Sequence, residues 1–159
     1  MSRNIAKPLI IDGSRYEGGG QVLRIAVALA VVLRRKTKIE QIRAGRRTPG
    51  LGNQHLAGLH LVEKLCGGKF VDGCGNPIKV GSTDIVIDPV GFRSHSECEF
   101  IADCGSAGST ALMAQIALPI AIWMDNSVSI KLVGGTDADF APPIDIQIEV
   151  RQKWFYKKF

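Results

Sequence analysis

No paired cysteines, no long apolar run and no familiar nucleotide-binding fingerprint mark this chain, and each absence narrows what it can be. The longest apolar stretch, Ile25 to Leu33, is too short to cross a bilayer. The N-terminus has no basic segment leading into an apolar one, so no signal peptide is expected. Cys66, Cys74, Cys98 and Cys104 show no C-x-x-C spacing, which reads as reduced thiols in an intracellular protein. His55, His60 and His95 do not have metal-ligand spacing with a third ligand nearby. No Ser-His-Asp set suggests itself, no Walker loop follows the glycines, and their spacing is wrong for the dinucleotide fingerprint.

What is present is one domain's worth of ordinary globular composition, 159 residues with 45% hydrophobic and 22% charged. The net charge of +5 is not a general basic character. The last nine residues, "RQKWFYKKF", carry Arg151, Lys153, Lys157 and Lys158, and without them 16 basic residues face 15 acidic ones. Any basic footprint is therefore local. One cluster, Arg34-Arg35-Lys36 with Lys38, follows an apolar run and suits the C-terminal end of a helix dipole. The other is Arg43 with Arg46-Arg47.

Along the chain, "KPLIIDG" reads as a short buried strand. "QVLRIAVALAVVL" is apolar on nearly all sides, and its length and the glycines before it favour a core helix over a strand. "TKIEQIRAG" alternates like a strand and "RRTPGLG" is a turn. Asn53 is placed to cap a helix over "QHLAGLHLVEKL", which Gly67-Gly68 ends. "KFVDG" and "TDIVIDPV" are further strands. The order β-α-β-α-β-β makes one complete α/β layer.

A second unit starts at "ECEFIADCG", enters an apolar helix that Pro119 must kink or end, and continues as the strand "SVSIKLVGG". "PPIDIQIEV" alternates like a strand, yet Pro142-Pro143 suits the first turn of a helix equally. The expected division is a first unit over 5–92, an incomplete second over 93–150, and a basic, aromatic tail over 151–159. About one and a half units leave an apolar face uncovered, so self-association is expected.

The stretch "DGSRYEGGGQVLR" carries the strongest chemical signal. Three glycines entering a helix let backbone N–H groups approach an anion where the dipole favours negative charge. Glu17 would repel a bare phosphate unless a divalent cation lies between, as Mg²⁺ does with one or two carboxylates and phosphate oxygens. A glycine-rich turn with a solvated glutamate is the plainer reading. Arg43, Arg46 and Arg47 at a strand end can meet phosphate bidentately, or form a solvated loop. His55 and His60 read as packing or capping residues. Gln115, inside "ALMAQIALP", needs a partner for its buried amide, either structural or a ligand.

Taken together, "DGSRYEGGGQVLR", "IRAGRRTPGLGNQHLAGL", "GSTDIVIDP", "GSAGSTALMAQIALP" and "LVGGTDADFAPPID" occur in one order. This set resembles the RNA 3′-terminal phosphate cyclase family from about Leu9 to about Val150. E-G-G-G-Q and R-A-G-R are similar to the true cyclases rather than to the family's ribosome-biogenesis branch. The resemblance implies repeated β-α-β-α-β-β units, each with two helices on a four-stranded sheet.

It also implies an ATP-dependent reaction. A histidine is adenylylated, AMP passes to an RNA 3′-phosphate, and the 2′-hydroxyl closes a 2′,3′-cyclic phosphate, in the nucleus or cytoplasm. By resemblance, Glu17 is the carboxylate facing Mg²⁺ (or Mn²⁺), and Arg43, Arg46 and Gln54 line the phosphate and RNA end. Gln115 and Pro142 belong to the ATP pocket, and Gly18, Gly19 and Gly20 shape the floor. The nucleophilic histidine lies near the C-terminal end of family members, which are well over twice this length. None of His55, His60 or His95 matches it. The chain is thus expected to be a truncated cyclase product, enzymatic by descent and holding the N-terminal half of the active site, or an inactive RNA- or nucleotide-binding fragment.

Overall fold

The computed structural model describes residues 7–90, 99–106, 108–139, 141–146 and 148–149. His95, Cys98 and the 151–159 tail lie outside the described residues. The first unit runs β1 (Leu9–Asp12), α1 (Gly20–Val32), β2 (Thr37–Glu40), α2 (Asn53–Cys66), β3 (Lys69–Asp72) and β4 (Ile85–Asp88). Its strands form one sheet in the order β1-β2-β4-β3, with β1 and β2 parallel and the other pairs antiparallel. The second begins with β5 (Glu99–Asp103), α3 (Thr110–Ala121) and β6 (Ser129–Val133), where β5 and β6 pair in parallel. This is the α/β repeat fold of about one and a half units that the motif order implies.

Strand alternation sets the core. Ile39, Ile85, Ile87 and Phe70 are buried together, and the register sets Ile39 opposite Ile85 and Phe70 opposite Ile87. Leu59, Val62 and Cys66 of α2 join that cluster, with Leu56 partly buried against it. Helix α3 packs on both α1 and α2, and α2 also reaches β5, so one core is continuous across both units. Pro119 sits within the last turn of α3, which ends at Ala121. Among the described residues Cys66, Cys74 and Cys104 are free thiols, and no helix is long and apolar enough to cross a membrane.

Three local expectations need correcting. Strand β1 is not buried, because it is the sheet's edge, and Leu9 and Ile10 are exposed. Helix α1 is not a core helix all round: Leu23, Ala26, Val27, Ala30 and Val31 are buried, whereas Ile25, Leu29 and Leu33 face outward. Ile25 and Leu29 of that stripe, with Ile11, line an apolar groove of about 410 Å³, since no element of the described residues covers this side. Helix α2 is capped by Gly52, not by Asn53, which is already helical. Of the two readings left open for "PPIDIQIEV", Ile144–Ile146 take the helical one as a short helix, α4, so the proline signal outweighs the alternation there.

Candidate functional site

Two loops, three helices and Pro142 line one open cleft of about 550 Å³. The first loop follows β1, where Asp12 Oδ1 accepts from both the backbone N–H and the hydroxyl of Ser14, at 2.9 and 2.6 Å. These bonds hold the Asp12 carboxyl below its usual range. The chain then turns through Gly18 at φ +56° and enters α1 at Gly19, with no side chain capping the helix N-terminus. The first-turn N–H groups of α1 are left facing the cleft.

The glycines here are a matter of space. A Cβ on Gly19 would stand 2.9 Å from Arg46 Nη2, and one on Gly20 would overlap His55 Nε2 and stand 2.8 Å from Arg24 Nη1. Three nitrogen-bearing side chains therefore crowd the start of α1. None could come so close if either residue carried a side chain.

The second loop carries the arginines; its tip, residues 44–49, is exposed, but its two ends are fixed. Ile42 and Leu51, each 1% exposed, anchor its two ends in the core. Ile42 N–H donates to Thr83 O at 2.8 Å, Leu51 N–H to Ser82 O at 3.0 Å and Gly81 N–H to Leu51 O at 2.7 Å. Arg43 braces the loop from within, through Nη1 to Gly50 O at 2.8 Å. Burial and the neighbouring Arg46 lower the Arg43 pKa. Arg46 reaches over Gly19 and pairs with Glu17, Nη2 to Oε2, at 3.6 Å.

Helices α2 and α3 close the far side. Gln54 Oε1 accepts the Ser109 N–H at 2.9 Å, tying α2 to the start of α3. Gln115 is half-buried rather than buried, and its Oε1 accepts from Arg24 Nε at 3.1 Å, a structural partner for the amide. Arg24 is part-buried, and desolvation lowers its pKa. His55, 9% exposed, accepts the Gly52 N–H on Nδ1 at 3.1 Å and so caps α2. Burial first, then Arg43 and Arg24, push its pKa down to about 4.

Glu17, Gly19, Gly20, Arg43, Arg46, Gln54, Gln115 and Pro142 thus line one cleft, although they come from distant parts of the chain. Gly18 forms the turn beneath it, and Arg47 is an exposed residue away from it. Gln21, Arg24 and His55 also line the cleft and went unassigned in the sequence. Arg24 had a readable signal: it is the one charge inside the apolar run of α1. His55 had none beyond its capping position.

The depressed His55 pKa carries a stability prediction. Between about pH 6.5 and 4 the unfolded chain takes up a proton that the folded ring refuses, so stability falls as pH falls. The full effect is roughly 3 kcal/mol, read as denaturation midpoints at pH 7 and pH 4.5. His55→Asn should flatten that slope. Asp12 and Asp72, whose pKa values are lowered, titrate below this window.

Three guanidinium groups against one carboxylate, with the uncapped start of α1, suit an oxyanion bearing more than one charge. Among the described residues no three His, Cys, Asp or Glu side chains cluster to hold a metal unaided. A lone carboxylate such as Glu17 fits a cation only where phosphate oxygens complete its shell.

The fold and cleft define an α/β repeat protein with an arginine-lined cleft between its first and second units. The chain belongs to the RNA 3′-terminal phosphate cyclase family, whose family model matches residues 15–158. That match reaches past Val150, where the recognisable motifs end. An RNA 3′-terminal phosphate cyclase of Methanococcoides burtonii is 42% identical over 135 residues, 85% of this chain and 38% of that protein. One from Hyperthermus butylicus is 42% identical over 137 residues, covering 86% of this chain and 36% of the relative. A third, from Pyrococcus furiosus, is 39% identical over 142 residues, 89% and 39% respectively. The chain therefore spans less than two fifths of the length of these relatives.

Proposed function

We propose that this chain supplies the phosphate-binding side of an ATP-dependent RNA 3′-phosphate cyclase site. The observation that carries the reading is the single cleft in which Arg24, Arg43 and Arg46 surround the bare N-terminus of α1. In this reading Arg43 and Arg46 hold the phosphates of ATP or of the RNA 3′ end. Gln54 and Gln115 orient the ligand by hydrogen bonds, and Pro142 offers an apolar surface to the base. Glu17 would hold Mg²⁺ against the ATP phosphates, and a bound Mg²⁺ would neutralise charge on the transferring phosphoryl group.

The covalent step, ATP to enzyme-AMP, needs a histidine with a free ring lone pair in the cleft, and neither described histidine offers one. His55 lines the cleft, but its Nδ1 lone pair is taken by the Gly52 N–H, and His60 stands 3.4 Å from Glu63 and does not line the cleft. The chain alone is therefore expected to bind ATP·Mg²⁺ without becoming adenylylated. The test is incubation with ATP labelled at the α-phosphate and Mg²⁺, read both as bound ligand before denaturation and as covalent label after it. Acid-labile, hydroxide-stable label would sink the proposed division of labour, and absence of any binding would sink the cleft reading itself. A purely RNA- or nucleotide-binding role is the second reading, favoured by this same lack of a free imidazole lone pair in the cleft.

A further inference from the structure

We infer that His55 is a positioning residue of the cleft, a neutral ring whose Nε2–H donates to a phosphoryl oxygen held at the first turn of α1. The inference rests on the phosphate reading of the cleft. Its geometry begins at the other ring nitrogen. Nδ1 accepts the Gly52 N–H at 3.1 Å, and a nitrogen that accepts carries no proton. In the neutral ring the proton then sits on Nε2. That nitrogen is directed at Gly20, where any Cβ would overlap it.

The ring is more than nine-tenths buried, and among the described residues Nε2 has no hydrogen-bond partner. A buried donor without a partner is costly. The cleft supplies the exception: Nε2 lies against Gly20 in the first turn of α1, whose start has no side-chain cap, with Arg24 Nη1 beside the same glycine. A phosphoryl oxygen seated there satisfies all of these donors together.

Neutrality makes the arrangement workable. A ring charged between Arg24 and Arg43 would add to their repulsion, and burial with these two neighbours keeps the pKa down to about 4. His55 thus contributes a directional N–H without further cationic charge. The cap and the donor are coupled, because the Gly52 N–H fixes which nitrogen faces the ligand. The same ring ties the α2 cap to the floor of the site.

Two substitutions separate the roles. The Asn side chain overlays Nδ1, so His55→Asn keeps the Gly52 cap and deletes the cleft donor. The Gln amide overlays Nε2, so His55→Gln keeps a donor and loses the cap. Affinity would be measured for ATP·Mg²⁺ and for a short RNA ending in a 3′-phosphate, with the 3′-hydroxyl RNA as reference. The expected result is a loss of roughly tenfold in His55→Asn for whichever ligand places its phosphate at α1, with His55→Gln within about threefold. A merely structural role predicts the reverse order, and that order would overturn the inference.

The wild-type chain provides a readout independent of folding in the variants. Long-range ¹H–¹⁵N correlation of the His55 ring at pH 7 should show the Nε2–H tautomer, with Nε2 shifting on addition of inorganic phosphate. A proton on Nδ1, or an imidazolium, refutes the inference whatever the variants do. Wild-type chain that takes up neither ligand overturns the phosphate reading, and the inference with it. Wild-type binding with undiminished affinity in His55→Asn overturns the inference alone.

Discussion

Gly50→Ala is expected to be among the most damaging substitutions in the basic loop. Gly50 sits at φ +80°, and a Cβ there would enter the Gly81 backbone, 2.6 Å from its carbonyl carbon. Both partners are pinned. Gly50 N–H donates to Ile42 O at 2.8 Å, and Gly81 N–H donates to Leu51 O at 2.7 Å. Nothing in the contact is a side chain that could swing aside. The expected cost is about 3 kcal/mol or more, a fall of about 10 °C in the thermal midpoint for a domain of this size.

Two other glycines grade the effect. Gly81 has φ +86° but open space around a Cβ, so Gly81→Ala should cost about 1 kcal/mol from backbone strain alone. Gly45 has neither a positive φ nor a neighbour within 4 Å, and Gly45→Ala should be near neutral. Equal midpoints for the Gly50 and Gly45 variants would show that the loop is not clamped against residues 81–83. Ligand affinity should fall with stability in Gly50→Ala, because Arg43 Nη1 leans on the Gly50 carbonyl.

Arg24→Met is expected to have the largest effect on binding with the least on folding. Arg24 is the charge that helix α1 places on the cleft floor, held there by Gln115 at 3.1 Å. Its desolvation is a cost in the free chain, since burial lowers its pKa. Methionine removes that cost while leaving Gln115 Oε1 without its donor, so stability should stay within about 1 kcal/mol. Affinity for ATP·Mg²⁺ should drop roughly tenfold to a hundredfold, the worth of a charge-assisted contact. Arg24→Lys should fall between, because an ammonium cannot donate to Gln115 and to a ligand with the same fork geometry. Titration calorimetry on the three proteins decides it: unchanged affinity in Arg24→Met would remove Arg24 from the binding surface.

Much of the fold was legible because its signals are local. The glycines before α1, Gly67 in the left-handed conformation after α2, and the alternation of Ile39, Ile85 and Ile87 each act within a few residues. So does Pro119, which leaves α3 room for only two more residues. Exposure was harder to read. Leu9 and Ile10 have the composition of a buried strand, but their burial depends on whether β1 lies at the centre or the edge of its sheet. The same holds for Ile25 and Leu29, whose exposure is a property of what packs against α1.

By itself the sequence determined the order of elements, the family and most of the candidate cleft residues, because glycine runs, arginine spacing and strand alternation act through short-range sterics. Only the tertiary structure decided that residues as far apart as Glu17, Arg46 and Gln115 share one cleft. It alone turned His55 from a helix cap into a cleft residue and bound Arg24 to Gln115 across 91 positions of chain. The physical reason is that hydrogen-bond partners and desolvation belong to pairs and surroundings. No local pattern specifies which two helices will meet.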